Sequence, residues 1–361
     1  MDYINSITEA IGKTPLLKLN KIGREVGANI FVKLEHLNPS GSYKDRMALA
    51  MVEAAEKGLT WNGKKLPPDG IVMDASAGNT APALAMVCAA KGYKAKFVLY
   101  RYQCEGEPTA RMKIVQTFGP EVTVSSEPNR YLSEEQMEEL FAQYPDMNRD
   151  LLHVIAGKMD CYLAEQNDPK CVWVDQIYND YNYLGQVSIG EEIYEQLDGK
   201  IDAVGCSVGS GASLYGMCLG IEKKGLRVPL TFGVVPKGSE QYLALQKEEC
   251  ERGEFDVSEV QAKVCEVMGL QKWVTEKPIV KKMIEAGYPD KFFLVSDEEA
   301  REMANRLCQE EGIYCGMSSG ANVAVALKIA KRLPPGSNVV TLIVDRRDRY
   351  LSEYPNDKYV V

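Results

Sequence analysis

Metal-binding and disulfide patterns are scarce in this sequence of 361 residues. It has only two histidines, His36 and His153, and none of its cysteines forms a Cys-x-x-Cys pair. Zinc sites are usually built from such pairs and from histidines, so the spacing argues against a metal site. Most of the cysteines sit in apolar runs, where a free thiol behaves as a small hydrophobic group. The ten are Cys88, Cys104, Cys161, Cys171, Cys206, Cys218, Cys250, Cys265, Cys308 and Cys315. This usage fits a reducing cytoplasm.

Long apolar runs and an excess of positive charge are also missing. No stretch of about 18 apolar residues is present, and the start lacks the charged and apolar regions of a secretory signal. The formal net charge of −9 argues against nucleic acid and anionic membranes as partners. Internal repeats and low-complexity segments are absent. The length allows two domains or one large α/β unit.

A lysine stands at the start of a predicted helix. Residues 38–46 read Asn-Pro-Ser-Gly-Ser-Tyr-Lys-Asp-Arg, between a predicted strand at 30–34 and a run of strong helix formers. Lys44 therefore falls in the first helical turn, just after a capping hydroxyl, where the helix dipole disfavours an ammonium group. That position suits a lysine that reacts as a neutral amine. On this stretch alone, a surface lysine beside Asp45 and Arg46 is the simpler interpretation.

Apolar strands alternate with helical segments along most of the chain. Strands are predicted at 30–34, 71–75, 95–100, 121–125, 200–206, 230–235, 292–295 and 338–344. Helices are predicted at 44–56, 81–91, 109–118, 133–143, 185–197, from 214, 239–251, 297–311 and 315–330. This alternation predicts an α/β fold with parallel sheets and helical crossovers. Apart from its one helix, the polar segment 127–170 is interpreted as surface elaboration, with a loop-rich insert or lid as the alternative.

Small-residue loops stand at three predicted helix starts. Residues 209–213 offer backbone N–H groups to a phosphate, but they lack a P-loop lysine and the dinucleotide spacing. Residues 76–80 offer hydroxyl, amide and N–H groups that suit a carboxylate, and residues 318–320 are similar. A tight turn or ordinary helix capping explains each loop equally well by itself.

Taken together, the loops and the lysine predict more than each does alone. The carboxyl ends of parallel strands meet at one edge of a sheet, so we expect the three loops and Lys44 to lie along that edge. One amine, one phosphate site and one carboxylate site are what an aldehyde cofactor with a phosphate tail requires.

The order of these motifs resembles that of the cysteine synthase and cystathionine β-synthase family of pyridoxal-phosphate enzymes. The similar segments are Gly-Lys-Thr-Pro-Leu at 12–16, the lysine segment at 37–46, Ser-Ala-Gly-Asn-Thr at 76–80, the glycine cluster at 209–213, Cys-Gly-Met-Ser-Ser-Gly-Ala at 315–321 and Asp-Arg-Tyr-Leu-Ser at 348–352. The resemblance implies pyridoxal 5'-phosphate as cofactor, a homodimer, and fold type II, similar to the tryptophan synthase β subunit. In that fold each of two domains has a twisted, mostly parallel sheet flanked by helices.

The resemblance also implies a division of the chain and a role for each motif. Residues 1–40 and 186–361 would form a larger cofactor-anchoring domain, and 41–185 a smaller mobile domain carrying the substrate-carboxylate loop. Lys44 would bind the cofactor covalently and act as the base at the substrate Cα. The other cofactor-binding residues would be Asn79 at the phenolic oxygen, Ser318 at the pyridine nitrogen, and Gly209, Ser210, Gly211, Ala212 and Ser213 at the phosphate. The substrate would contact Ser76, Ala77, Gly78, Thr80 and Gln176.

The implied position of Ser318 has a chemical consequence. A hydroxyl, unlike a carboxylate, does not hold the pyridine nitrogen protonated, so expulsion of a β-leaving group is favoured as the Cα–H bond breaks. We therefore predict β-replacement on a β-substituted L-alanine (O-acetylserine, O-phosphoserine, serine or cysteine) through α-aminoacrylate, as in cysteine synthases. A β-eliminating lyase that releases sulfide or ammonia is the alternative, and a non-catalytic binding or regulatory relative is a third interpretation.

Departures from the family pattern keep the elimination alternative open. Ala77 stands where a serine is usual, and Ala212 replaces a glycine. The segments after Tyr100, including Cys104 and Glu105, and at 268–273 also differ. Arg346 and Arg347 occupy positions that are usually small and uncharged; they could meet an acidic substrate, but we expect exposed arginines paired with the neighbouring aspartates, Asp345 and Asp348.

Overall fold

The computed structural model describes residues 3–76, 78–100, 109–145, 147, 149–238, 263–264, 266–268 and 277–351. The strands are β1 Leu16–Lys18, β2 Asn29–Leu34, β3 Ile71–Ala75, β4 Lys94–Leu99, β5 Glu121–Val124, β6 Cys171–Trp173, β7 Ala203–Ser207, β8 Leu230–Pro236, β9 Lys291–Val295 and β10 Asn338–Ile343. The helices are α1 Lys44–Glu56, α2 Thr80–Lys91, α3 Ala110–Thr117, α4 Glu134–Gln143, α5 Asp150–Asn167, α6 Tyr181–Leu197, α7 Ala212–Lys223, α8 Ile279–Glu285, α9 Asp297–Glu311 and α10 Met317–Ala330. Of these helices, none is long and apolar enough to cross a membrane.

The chain divides into two compact units. Unit 1 consists of Met1–Met47, Asn182–Glu254 and Lys282–Val361, and unit 2 of Ala48–Tyr181 and Phe255–Lys281. The first boundary therefore falls after Met47 rather than after residue 40, so Lys44 belongs to unit 1. The loop before Lys44 is hydrogen-bonded to the segment that follows β10, which belongs to unit 1, and this contact explains why Lys44 is part of that unit.

Unit 1 is built on a six-stranded sheet in the order β1-β2-β10-β7-β8-β9. Only β1 runs antiparallel to its neighbour, and the other pairs are parallel. The central strand β10 is almost wholly buried, as expected for a parallel strand covered on both faces. Its apolar side chains share one core with α9 and α10, including Leu307, Val323 and Ile343. The carboxyl ends of five parallel strands are thus brought to one edge of this sheet.

Unit 2 is built on a four-stranded, fully parallel sheet in the order β5-β4-β3-β6. Strand β3 lies at the residues where the sequence predicts it, and it leads through residues 76–79 into α2. The sheet packs against a core that includes Met73, Val98, Ile155 and Trp173. Together the two sheets confirm the predicted α/β fold with helical crossovers.

The interpretation of residues 127–170 as surface elaboration was wrong. The segment contains α5, an 18-residue helix whose buried side chains belong to the core of unit 2. Its apolar pattern is interrupted by Lys158 and Glu165, which are both buried and paired: Lys158 with Asp175, and Glu165 with the backbone N–H of Trp173. Leu152, Ile155 and Met159 recur at helical spacing, a local signal that the interpretation as surface overlooked.

Candidate active site

Lys44 is the first residue of α1, as the sequence predicted. The hydroxyl of Ser42 accepts a hydrogen bond from the Lys44 N–H at 3.3 Å and so caps the helix start. The Lys44 ammonium lies 4.8 Å from the centre of the Tyr43 ring. Burial raises the pKa of Cys206, in β7, to about 12, and the nearby charge of Lys44 opposes that rise. Lys44 therefore lies close to the end of β7, where the predicted phosphate loop begins.

The loop before Lys44 is held by the segment that follows β10. The N–H of Tyr43 donates to the carbonyl of Val344 at 3.1 Å, and the N–H of Arg346 donates to the carbonyl of Gly41 at 3.2 Å. Gly41 has a φ of +89°, which a residue with a side chain rarely adopts. The Arg349 guanidinium also donates to the carbonyl of Ser40. These hydrogen bonds tie the loop at residues 40–43 to residues 344–349 and so fix the position of Lys44 within unit 1.

The predicted phosphate loop forms the start of α7. Gly211, with a φ of +81°, is its N-cap residue, and α7 begins at Ala212. A glycine cap has no side chain with which to satisfy the first backbone N–H groups, so these remain directed out of the helix start. A side chain at Gly209 would project into open space. The loop thus presents N–H groups and the positive helix end to an anion, with room beside them.

A pocket of about 320 Å³ lies beside this loop in unit 1. Small-molecule sites range from about 300 to 1,000 Å³, so its size fits a compact ligand. The predicted residues Gly209 and Ser318 both line it, together with Tyr43. One acidic side chain also lines it, Asp297 at the start of α9, which sequence reasoning missed. Asp297 follows the end of β9 and the capping residue Ser296, and this position at a strand-to-helix junction is the sequence signal that could have indicated it.

The predicted carboxylate loop lies in unit 2 between β3 and α2. The hydroxyl of Ser76 accepts a hydrogen bond from the N–H of Gly78 at 3.2 Å, which shapes the turn. Asn79 is the N-cap residue of α2 without a side-chain capping bond. The hydroxyl of Thr80 donates to Oε1 of Gln176 at 2.6 Å, so these two predicted substrate-binding residues meet. Ala77 lies outside the described residues, as do Cys104, Glu105 and most of 252–290.

A buried ionisable cluster lies directly behind this loop. The Asp74 carboxylate, at the end of β3, accepts hydrogen bonds from the Trp173 indole at 3.2 Å and from the Ala75 N–H at 2.9 Å. Lys158 lies 3.5 Å from Asp175, the residue before Gln176. Burial, reinforced by the charge of Asp175, raises the pKa of Asp74 to about 7. The cluster thus lies next to the predicted substrate-binding residues, since Asp74 is two residues before Ser76 and Asp175 directly precedes Gln176.

The raised pKa of Asp74 predicts a pH dependence of stability. A folded-state pKa near 7, above the ordinary 3.8, favours the folded state at low pH. That contribution is lost as the pH rises from about 4 through 7, by up to about 1.4 kcal/mol per pH unit for one proton. We expect Asp74→Asn to flatten the decline of unfolding free energy between pH 5 and 8, measured by urea titration. Asp198→Asn, at an exposed residue, is the control; an unchanged slope in Asp74→Asn would contradict the assignment.

The expectation for the two arginines after β10 was half right. Arg346 is exposed and pairs with Asp348 at 3.3 Å, as predicted. Arg347 is instead buried, and it donates to Asn305 at 2.5 Å and to the sulfur of Cys308 at 3.8 Å. It packs onto α9 because that helix offers polar acceptors at this point, which the local sequence around Arg347 does not reveal.

The residues of unit 1 fit pyridoxal phosphate. A phosphate would meet the open N–H groups before α7, the primary amine of Lys44 is available to an aldehyde, and the Ser318 hydroxyl lines the same pocket as Gly209. A family model described as "Pyridoxal-phosphate dependent enzyme" matches residues 7–345.

The chain belongs to this family of pyridoxal-phosphate dependent enzymes.

Among characterised members of this family, Cysteine synthase 1 of Emericella nidulans is 33% identical over 356 residues, covering 96% of this chain and 84% of the relative. The O-acetylserine dependent cystathionine beta-synthase from Helicobacter pylori is similar in structure, with a TM-score of 0.71, 25% identity and 98% coverage of both chains. A hydrogen sulfide-producing enzyme from Fusobacterium nucleatum has a TM-score of 0.71 and 28% identity, over 97% of this chain and 100% of the other. The resemblance to cysteine synthases and cystathionine β-synthases is confirmed.

Proposed function

We propose that this protein catalyses β-replacement on a β-substituted L-alanine, as a cysteine synthase does. The observation that carries the proposal is the pocket of unit 1, in which the hydroxyl of Ser318 and the anion-binding start of α7 stand beside the lysine segment. A hydroxyl at the pyridine nitrogen disfavours transamination and decarboxylation, since both need a fully developed carbanion. Loss of a β-substituent, which relieves negative charge as it forms, is the chemistry that remains favourable.

The proposed reaction gives each predicted site residue a role. The cofactor, when bound, supplies an electron sink that makes the Cα proton of the substrate removable. The amine of Lys44 holds the cofactor and then takes that proton. The N–H groups of residues 209–213 bind the phosphate, and Asn79 is assigned to the phenolic oxygen. The loop of Ser76 to Thr80, with Gln176 behind it, is proposed to bind and orient the substrate carboxylate.

Elimination is the second candidate because the hydrogen sulfide-producing enzyme from Fusobacterium nucleatum is similar over 97% of this chain. The two reactions share the loss of the β-substituent and differ in the next step. In replacement a nucleophile adds, whereas in elimination water releases pyruvate and ammonia. A non-catalytic role is disfavoured, since a binding subunit has no need of Lys44 in this position.

A visible-absorbance titration of the purified holoenzyme distinguishes replacement from elimination. O-Acetylserine, O-phosphoserine, serine and cysteine are added separately, and sulfide is added after each. For replacement we expect one of the donors other than cysteine to shift the cofactor band, sulfide to restore it, and cysteine to form. Consumption of cysteine with release of sulfide, pyruvate and ammonia, and no change with the other donors, would establish elimination. A protein that takes up no cofactor would refute both.

The contact between Thr80 and Gln176 provides a test of the carboxylate loop. We expect Thr80→Val, which removes the donor of the 2.6 Å hydrogen bond, to raise KM for the amino-acid donor about five- to tenfold. The effect on kcat should be smaller, because the hydrogen bond orients a group that does not react. Thr123→Val, on β5 of the same unit, is the matched control and should leave both constants unchanged. An equal rise of KM in the two variants would contradict the assignment.

We also propose a homodimer in a reducing cytoplasm. The seven cysteines among the described residues are all free thiols, which supports a reducing compartment. Exposed apolar side chains near the amino terminus, Tyr3, Ile4 and Ile7, offer surface that a second copy could cover.

A further inference from the structure

Cys308 and Cys315 form a thiol pair between α9 and α10. Cys308 lies on α9, the chain turns at Gly312 with a φ of +73°, and Cys315 directly precedes Gly316, the N-cap residue of α10. Cys315 forms an isolated β-bridge with Arg346, and the side chain of the next residue, Arg347, donates to the Cys308 sulfur. One short segment, residues 346–347, thus contacts both cysteines and brings them together, although seven positions separate them in sequence.

A buried positive charge stands beside this pair. Nη1 of Arg347 donates to the Cys308 sulfur at 3.8 Å, and Nη2 donates to Asn305 at 2.5 Å, one turn earlier on α9. Arg347 is 8% exposed, so its charge is held in place and is little screened by salt. The interaction with the thiol and backbone of Cys315, together with the charge of Arg347, lowers the pKa of Cys308 to about 6. The Cys308 side chain raises the pKa of Cys315, which thus keeps its proton.

Cys308 differs from the other described cysteines. It is only partly buried, whereas the other six are buried. Burial raises the pKa of five of them: Cys88, Cys161, Cys171, Cys206 and Cys218. Reactive cysteines are those with a stabilised thiolate and access to solvent, and redox-sensing ones commonly stand beside a second thiol.

We propose that Cys308 is a peroxide-reactive thiolate whose oxidised form is resolved by Cys315 into a disulfide. The Cys308 sulfur attacks hydrogen peroxide, so that an S–O bond forms, the O–O bond breaks and hydroxide leaves. The Cys315 sulfur then loses its proton and attacks the Cys308 sulfur; the S–S bond forms, the S–O bond breaks and water leaves. Two electrons pass from the thiols to one peroxide.

The disulfide would join α9 to the segment that leads into α10, three residues before Ser318. The inference does not depend on the proposed reaction, because neither cysteine is assigned to the cofactor or substrate. It can therefore be tested by chemistry at the thiols alone.

The test is peptide-resolved mass spectrometry of the holoenzyme treated with one equivalent of hydrogen peroxide at pH 7. We expect one disulfide between Cys308 and Cys315, seen as two linked peptides after cleavage at Glu310 or Glu311 and reversed by dithiothreitol. With iodoacetamide, Cys308 should react at least about tenfold faster than any of the five buried cysteines with a raised pKa, with a rate that rises around pH 6. Peptide resolution also separates it from Cys104, Cys250 and Cys265.

Three variants complete the test. Cys308→Ser should form no disulfide, and Cys315→Ser should stop at a Cys308 sulfenic acid that dimedone traps. Arg347→Gln should move the pH midpoint of Cys308 alkylation upward and slow the reaction at pH 6. The proposal is overturned if Cys308 reacts no faster than the buried cysteines, if its alkylation midpoint lies above 8, or if peroxide links other pairs instead.

Discussion

Lys44→Ala is expected to lower kcat/KM by about a thousandfold or more, because one amine both holds the cofactor and moves the substrate proton. Stability should hardly change, by less than about 0.5 kcal/mol. Alanine is the best helix former, and removing a positive charge from the first residue of α1 relieves an unfavourable interaction with the helix dipole. Activity and stability are thus expected to separate at this residue.

The measurement for Lys44→Ala combines steady-state kinetics with the visible spectrum of the cofactor. The variant should lose the wild-type band, and Lys44→Arg should not restore it, since a guanidinium does not react with an aldehyde at neutral pH. Lys57→Ala, just past the end of α1, is the matched control and should keep full activity. A Lys44→Ala protein with the wild-type spectrum and rate would remove the basis of the proposed function.

Elements with strong local signals could be predicted from the sequence. Helix α9 was predicted at the residues where it lies, since Ser296 caps its start and Gly312, with a positive φ, ends it. Strand β3 was equally clear, as a short apolar run between a polar loop and a serine. In both cases the residues that determine the boundary are within a few positions of it, so single-sequence reasoning suffices.

Helix α5 was missed although its buried apolar residues recur at helical spacing. Lys158 and Glu165 are polar residues at buried positions. The partner of Glu165, Trp173, lies in strand β6, and the partner of Lys158, Asp175, lies in the loop after it. Strand β6 has only three residues, which is too short for a periodic pattern. The burial of these two polar residues could not be predicted from the sequence, because their partners lie in a later segment of the chain.

In the candidate site, too, features with a local sequence signal could be predicted and contacts between distant segments could not. Motif order indicated Lys44, the phosphate loop and Ser318, because small residues at helix starts are a local signal. The roles of Arg349, which binds the carbonyl of Ser40, and of Arg347, which lies beside Cys308, depend on contacts between segments far apart in sequence. Arg347 was expected to be an exposed charge because nothing near it in the chain requires its burial.

Arg46, two residues after the proposed catalytic lysine, is expected to matter for stability rather than chemistry. Its guanidinium makes two 2.8 Å hydrogen bonds to Glu35, and it donates to the two carboxylate oxygens of Glu192 at 2.6 and 2.9 Å. Glu35 is fully buried, and Arg46 is 4% exposed. Lys33 is also buried and lies 2.7 Å from Glu192, so two cations and two carboxylates form one network in unit 1.

Arg46→Ala is therefore expected to lower the free energy of unfolding by about 3–5 kcal/mol, since it leaves the Glu35 charge buried without its main partner. Arg24→Ala, at an exposed residue, should change it by less than about 0.5 kcal/mol. The double variant Glu35→Leu with Arg46→Met should recover part of the loss, because no uncompensated charge remains and apolar side chains fill the space. Urea titration of the three proteins measures this. If the double variant is less stable than Arg46→Ala, the cost comes from lost shape and hydrogen bonds to Thr14 and Ser188 rather than from the stranded carboxylate.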